Sequence, residues 1–236
     1  MFRTIVFFTF LWSSLFLSMI LLIPLWVLRF FRLQQIKKKI IRWLIHCWSG
    51  LILKIAGVKI SKILPDEFPE GNYAIVSNHQ GNFDVLVVVH SLPLIPAFIA
   101  KEELRKVPFL NSWMKAMDCL LINRADSPGS RKKILDRLLE KGHSPLMLFP
   151  EGTRSRQEKL LPFRTGGLKM IYDSRTDVLP VRINGTYKVW EETKRIRPAI
   201  VHFEIRPFLK ADEYRKSGFE DFVRKIKMLT GPPENC

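Results

Sequence analysis

From Thr4 to Leu28 the chain carries no charged residue, and Phe, Leu, Ile and Trp dominate. About 20 apolar residues in a helix match the hydrocarbon thickness of a bilayer, so this run is long enough to span one. A cleaved leader would have a shorter apolar stretch and a small-residue cleavage site. Here the run meets Arg29, Arg32, Lys37, Lys38 and Lys39 and reads as retained. Two arrangements satisfy it. It spans once, with its basic flank on the cytoplasmic side, or it lies in one leaflet as half of a helical hairpin bent near Pro24. The stretch that follows favours the second. Ile36, Ile40, Trp43, Leu44, Cys47, Trp48, Leu51 and Ile52 recur at three- and four-residue spacing, with Lys38, Lys39 and Arg42 on other faces. A basic amphipathic helix beside a long apolar one suits an anionic lipid surface. The competing possibility is that Ile36 to Ile55 packs on the body of the protein.

After Gly57 the pattern changes. Short runs rich in Val, Ile, Leu and Phe read as strands at Tyr73–Ser77, Ile95–Ala100, Cys119–Asn123, Pro145–Phe149, Val178–Asn184 and Ile200–Ile205. Helical patterns fall between them at Asp84–Ser91, Asn111–Met117, Ser130–Lys141 and Gly167–Asp173, with a last amphipathic helix from about Ala211 to Leu229. Alternation of this kind predicts an α/β fold, a largely parallel mixed sheet flanked by helices on both faces. The expected organisation is an N-terminal helical membrane-binding element over residues 1–57 and one α/β domain over 58–236. In such sheets chemistry gathers at the carboxyl ends of strands, so a catalytic residue should follow a strand directly.

Charge narrows the partners without choosing among them. Thirty-eight Lys and Arg against twenty-two Asp and Glu leave +16, which attracts nucleic acid, anionic lipid or a phosphorylated substrate. Cys47, Cys119 and Cys236 have neither metal-ligand nor redox-motif spacing and read as unpaired thiols. No metal cluster, phosphate-binding glycine loop or dinucleotide fingerprint stands in the sequence, so neither a metal nor a bound cofactor is expected.

Two segments pass the strand-end test. Ser77-Asn78-His79-Gln80-Gly81-Asn82-Phe83-Asp84 begins where the first strand ends. Gly81 and Asn82 permit a tight turn, and Asp84 falls in the first turn of the following helix, where a carboxylate is favoured. Folding back, His79 can give one ring nitrogen to Asp84 and accept a proton on the other, as a general base does. No nucleophile elbow or reactive cysteine setting accompanies the pair. The nucleophile is therefore expected to be a substrate hydroxyl, attacking a thioester directly with no acyl-enzyme. Composition alone would supply some His with Asp five residues on about one time in five. The plain alternative is a polar turn with a capping Asp.

Leu148-Phe149-Pro150-Glu151-Gly152-Thr153-Arg154-Ser155 also follows a strand. Gly152 lets backbone approach a ligand. Thr153 and Arg154 offer donors suited to phosphate. Glu151 is expected to accept from an acceptor hydroxyl or to hold Arg154. Lys101, directly after the strand Ile95–Ala100, is either near phosphate or a solvated helix start. Trp113, Met114 and Met117 are expected in the core rather than along an acyl chain, and His46, His90, His143 and His202 get no catalytic role.

In combination the two loops resemble the PlsC-type glycerolipid (lysophosphatidic acid) acyltransferase family. The match runs from about Tyr73 to Thr186 and adds Leu121-Ile122-Asn123-Arg124 and Val178-Leu179-Pro180-Val181. Asn123 departs from the pattern, since many members carry Asp there. The resemblance implies transfer of an acyl group from acyl-CoA or acyl carrier protein, as co-substrate, to a lysophospholipid, 1-acylglycerol 3-phosphate. It implies His79 as base and Asp84 as its orienting partner. It places Arg124, Glu151, Gly152, Thr153 and Arg154 at the acceptor, with Arg124 and Arg154 on its phosphate. Anionic membrane lipids are the expected surface, nucleic acid is not an expected partner, and the expected location is the cytoplasmic face of the inner membrane. Glycerol 3-phosphate or another lysophospholipid is an alternative acceptor. A non-catalytic anionic-membrane binder is the alternative of another class.

Overall fold

The computed structural model describes residues 1–31, 33–107, 109–123, 127–140 and 143–232. The strands are β1 (Val58–Ile63), β2 (Tyr73–Ser77), β3 (Ala97–Lys101), β4 (Leu120–Ile122), β5 (Leu146–Leu148), β6 (Asp177–Asn184) and β7 (Ala199–Ile205). The helices are α1 (Phe2–Leu17), α2 (Met19–Phe30), α3 (Gln34–Ala56), α4 (Phe83–Ser91), α5 (Leu110–Ala116), α6 (Ser127–Leu139), α7 (Thr165–Asp173), α8 (Ala211–Tyr214) and α9 (Phe219–Thr230).

The strands form one sheet in the order β1-β7-β6-β2-β5-β3-β4. Strands β2 to β6 all run parallel. Among the described strands the β6–β7 pair alone is antiparallel, with β1 parallel to β7 at the edge. This is the mixed, mostly parallel sheet expected from the alternation. Strand β2 shows why. All five of its residues are buried, as a strand covered on both faces requires. Tyr73 and Ile75 join one core with Phe7, Ile52, Phe83 and Val87. Ala74 and Val76 turn the other way, toward Leu168, Ile171, Phe222 and Ile226.

The elements that differ from expectation do so for identifiable reasons. Strand β1 was not expected, because Lys59, Ser61 and Lys62 break its apolar run. As an edge strand it is half-exposed, and lysines suit an edge. Lys101 lies within β3 rather than after it. The last helical pattern is cut in two by Gly218, whose φ of 86° ends the helical path between α8 and α9.

At the N-terminus the interruption falls at Ser18, between α1 and α2, while Pro24 lies inside α2. At this interruption two serine hydroxyls serve the neighbours. Trp48 Nε1 donates to Ser14 Oγ at 2.9 Å, and Trp113 Nε1 donates to Ser18 Oγ at 2.7 Å. Helices α1 and α2 pack on α3, and the Ile196 amide donates to Thr4 Oγ1 at 3.0 Å. Gly57, with φ 78°, closes α3, and a Cβ there would lie 2.5 Å from the Arg3 guanidinium.

Helix α3 buries Ile41, Ile45, Ser49, Ile52 and Leu53. Of the periodic set singled out in the sequence only Ile52 is fully buried. Ile36, Ile40, Trp43, Cys47 and Leu51 are exposed. On α1 and α2, Ile5, Trp12, Phe16, Leu17, Ile20 and Ile23 are exposed too. The stretch Phe2–Leu25 is long and apolar enough to cross a membrane, with a mean hydropathy of 2.3, and only 11% of that window is buried within the protein.

Candidate active site

Strand β2 delivers the site. Beyond Ser77 the Asn78 side chain replaces a strand partner. Its Nδ2 donates to the Ile183 carbonyl at 2.8 Å, and its Oδ1 accepts from the Ile183 amide at 2.9 Å. This holds the turn against β6. Asp84, fully buried in the first turn of α4, then collects four donors. Its Oδ2 accepts from His79 Nδ1 at 2.6 Å and from the Gln80 and Gly81 amides at 2.6 and 2.9 Å. Its Oδ1 accepts from the Thr186 hydroxyl. With Nδ1–H given to an acceptor-only carboxylate, Nε2 is left as the proton-accepting nitrogen. The imidazole stacks on Phe149 at 4.2 Å between centroids and stays 19% exposed, enough to meet a substrate.

Two further buried carboxylates hold the same turn. Glu151 Oε1 accepts from the His79 amide at 2.7 Å, and its Oε2 accepts from the Leu161 amide at 2.8 Å. Glu191 Oε1 accepts from the Asn82 amide at 2.7 Å. The four consecutive amides of His79, Gln80, Gly81 and Asn82 are thus all taken by carboxylates. Ser155 and Arg156 add backbone bonds to the carbonyls of His79 and Gln80, at 2.7 and 3.1 Å. Gln80 Oε1 accepts from the Gly185 amide at 2.9 Å. Burial raises the pKa of both Glu151 and Glu191, opposed in each by the backbone donors.

Arg154 lies on the open side of this turn. Its guanidinium donates to Asn82 Oδ1 and forms an ion pair with Glu191 at 3.5 Å. It remains a third exposed, so outward-facing N–H groups are left for an anion. Thr153 beside it is exposed. Gly152 takes φ 67°, and a Cβ there would lie 2.9 Å from the Arg164 side chain.

A family model described as "Acyltransferase" matches residues 59–184, more than half of the chain. The chain belongs to the acyltransferase family. A relative from Limnanthes douglasii named 1-acyl-sn-glycerol-3-phosphate acyltransferase is 28% identical over 184 residues, 77% of this chain and 65% of that protein. A Salmonella typhimurium relative of the same name is 27% identical over 185 residues, 76% of this chain and 74% of that one. The chain thus spans just under two thirds of the length of the plant relative. Among solved structures, the 1-acyl-sn-glycerophosphate acyltransferase PlsC from Thermotoga maritima superposes with a TM-score of 0.81 at 23% identity. That alignment covers 99% of this chain and 97% of that one, a likeness of fold.

Within this family member the sequence-derived candidates divide. His79, Asp84, Glu151, Gly152, Thr153 and Arg154 converge at the carboxyl ends of β2 and β5. Glu151 does not reach Arg154 and does not face outward. It is 2% exposed, and both oxygens hold backbone. Glu191 takes the place expected for it beside Arg154. Lys101 is exposed at the carboxyl end of β3, on the same edge of the sheet. Arg124 lies outside the described residues. Trp113 and Met114 are buried, in line with the core assignment. Cys47 and Cys119 are free thiols, the latter pushed up to about 11 by burial. Thr186 and Glu191 went unnoticed in the sequence. Thr186 follows the end of β6 almost directly, so the strand-end rule could have found it. Glu191 has no local signal.

Proposed function

We propose that the protein is a 1-acyl-sn-glycerol-3-phosphate acyltransferase. It moves an acyl group from acyl-CoA or acyl carrier protein to the sn-2 hydroxyl of lysophosphatidic acid, giving phosphatidic acid. One observation carries this reading: a His79 ring nitrogen fixed by buried Asp84, with the other free beside an outward-facing Arg154. His79 Nε2 takes the proton from the acceptor hydroxyl as its oxygen bonds to the thioester carbonyl carbon. The C–S bond then breaks, and the proton passes to the leaving sulfur. Arg154, with Thr153 and Arg124, binds the acceptor phosphate, while Glu151 and Gly152 shape the loop that carries them. Lys101, exposed at the carboxyl end of β3, adds charge along the same edge of the sheet. No residue of the chain is acylated.

Residues 1–57 form the membrane element and 58–236 the catalytic domain. The exposed apolar side chains of α1 to α3 enter one leaflet, and Lys37, Lys38, Lys39 and Arg42 meet anionic headgroups. The reading places the protein on the cytoplasmic face of the inner membrane. The test is acyl transfer by the purified full chain in mixed micelles, with each donor and with lysophosphatidic acid, glycerol 3-phosphate or no acceptor. Phosphatidic acid formed only when lysophosphatidic acid is present supports the proposal. Thioester loss independent of any acceptor would defeat it.

A further inference from the structure

A cationic pocket lies on the other face of the sheet from α4, beside the site but outside it. It has a volume of about 530 Å³ and is lined by Arg182, Arg206, Arg224, Lys227, Leu160 and the turn at Gly231, a size ordinary for a small-molecule site. Arg182 points from β6 toward α9, where it donates to the Met228 carbonyl at 3.3 Å. Two carboxylates answer these four cations. Glu204 is shared through one oxygen by Arg182 at 3.5 Å and Arg206 at 3.3 Å, and Asp221 pairs with Arg224 at 3.0 Å. Lys227 and Arg224 are otherwise exposed. The buried Nε atoms of both Arg182 and Arg206 have no hydrogen-bond partner. Two guanidiniums crowded against each other and half-satisfied by one carboxylate are unfavourable unless an anion joins them. Burial, and then repulsion from Arg206, depress the Arg182 pKa.

The pocket's place fits a particular anion. Val181 is in register with Ser77, so Arg182 lies level with Asn78 and its backbone is about 6 Å from that of His79 by strand geometry. The loop after β5 walls both regions: Leu160 lines the pocket, and the amide of Leu161 binds Glu151. We propose that this pocket holds the 3′-phosphate and pyrophosphate of coenzyme A, from which the long pantetheine arm carries the thioester round the loop to His79. This rests on the acyl-transfer reading and deepens it by naming the donor. An open cleft with two part-buried guanidiniums at its side suits compact phosphates rather than the convex acidic face of a carrier protein.

The test uses the full chain in micelles at fixed ionic strength. Adenosine 3′,5′-bisphosphate is titrated calorimetrically and also used as an inhibitor. The wild type should bind it and be inhibited competitively against acyl-CoA. Arg224→Glu/Lys227→Glu should weaken that binding and raise KM for acyl-CoA by about tenfold, with KM for lysophosphatidic acid moving less than twofold. Lys216→Glu, in the turn before α9, controls for bulk charge and should move neither. The proposal is overturned if the wild type fails to bind the bisphosphate, if both KM values rise together, or if only acyl carrier protein serves as donor. The binding arm needs no turnover. Binding without acyl transfer supports this pocket and defeats the activity proposal, and transfer without binding does the reverse.

Discussion

The turn from Asn78 to Asp84 and the helices from Phe2 to Ala56 differ in what completes them. In the turn, four consecutive amides, the imidazole and the Asn78 amide all find partners inside the protein. The helices bury Phe7, Leu15, Leu25 and the Ile41–Ile45–Ile52 seam, yet leave Trp12, Phe16, Ile20, Ile23 and Trp43 without cover. Exposed apolar surface on this scale marks an interaction face. The difference separates two requirements. The geometry of the site is built by the fold and should survive removal from lipid, whereas the proposed anchor is finished only by its surroundings.

Asp84→Asn strikes the turn hardest. An amide sets an NH2 donor against groups that now donate to the carboxylate and upsets the imidazole tautomer. The expected loss is about a thousandfold in kcat, read in micelles with the melting temperature as a check on folding. A loss under tenfold would break the contrast at its catalytic end. Arg154→Ala comes next. It should raise KM for lysophosphatidic acid about tenfold with a smaller change in kcat, since Glu191 and Asn82 keep the turn in place. Trp12→Glu/Trp43→Glu addresses the other side. Flotation with anionic vesicles should fall several-fold, while kcat in micelles stays within twofold. Loss of micellar activity would show that the two regions are not separable.

Glu191→Gln is expected to have the smallest effect. Glu191 has a folded-state pKa raised by burial, and its Oε2 lacks a partner. A carboxyl with a raised folded pKa favours the fold most below its unfolded value, and loses that contribution as pH rises through the folded one. The amide variant should therefore gain stability relative to wild type at pH 8, and the gain should shrink as pH falls through the carboxylate range, measured by urea midpoints. A gain that grows toward acid would contradict the assignment.

Much of this was legible in the chain. Strand β2 and the turn after it announce themselves because an apolar run is followed at once by Asn, His, Gly and Asp. Strand β6 and the Phe149 to Arg154 segment do so in the same way. Strand β1 was hidden because an edge strand with lysines has no apolar signature. Glu151 was visible as a carboxylate next to Arg154, but its inward turn depends on the Leu161 amide, set by the loop. Glu191 and Thr186 lie more than a hundred residues from the amide and carboxylate they bind, at Asn82 and Asp84. The β2–β6 pairing and the chain's return from β6 bring them there; Thr186, just past the end of β6, was open to the strand-end rule, whereas Glu191 carries no local signal.

The direct test of the account is His79→Ala in the full chain, assayed for phosphatidic acid at saturating donor and acceptor in micelles. Loss of the base should lower kcat by about a thousandfold or more, with unchanged vesicle binding and no acylated protein trapped by acid quench. Transfer at the wild-type rate, or acyl groups recovered on the protein itself, would contradict it.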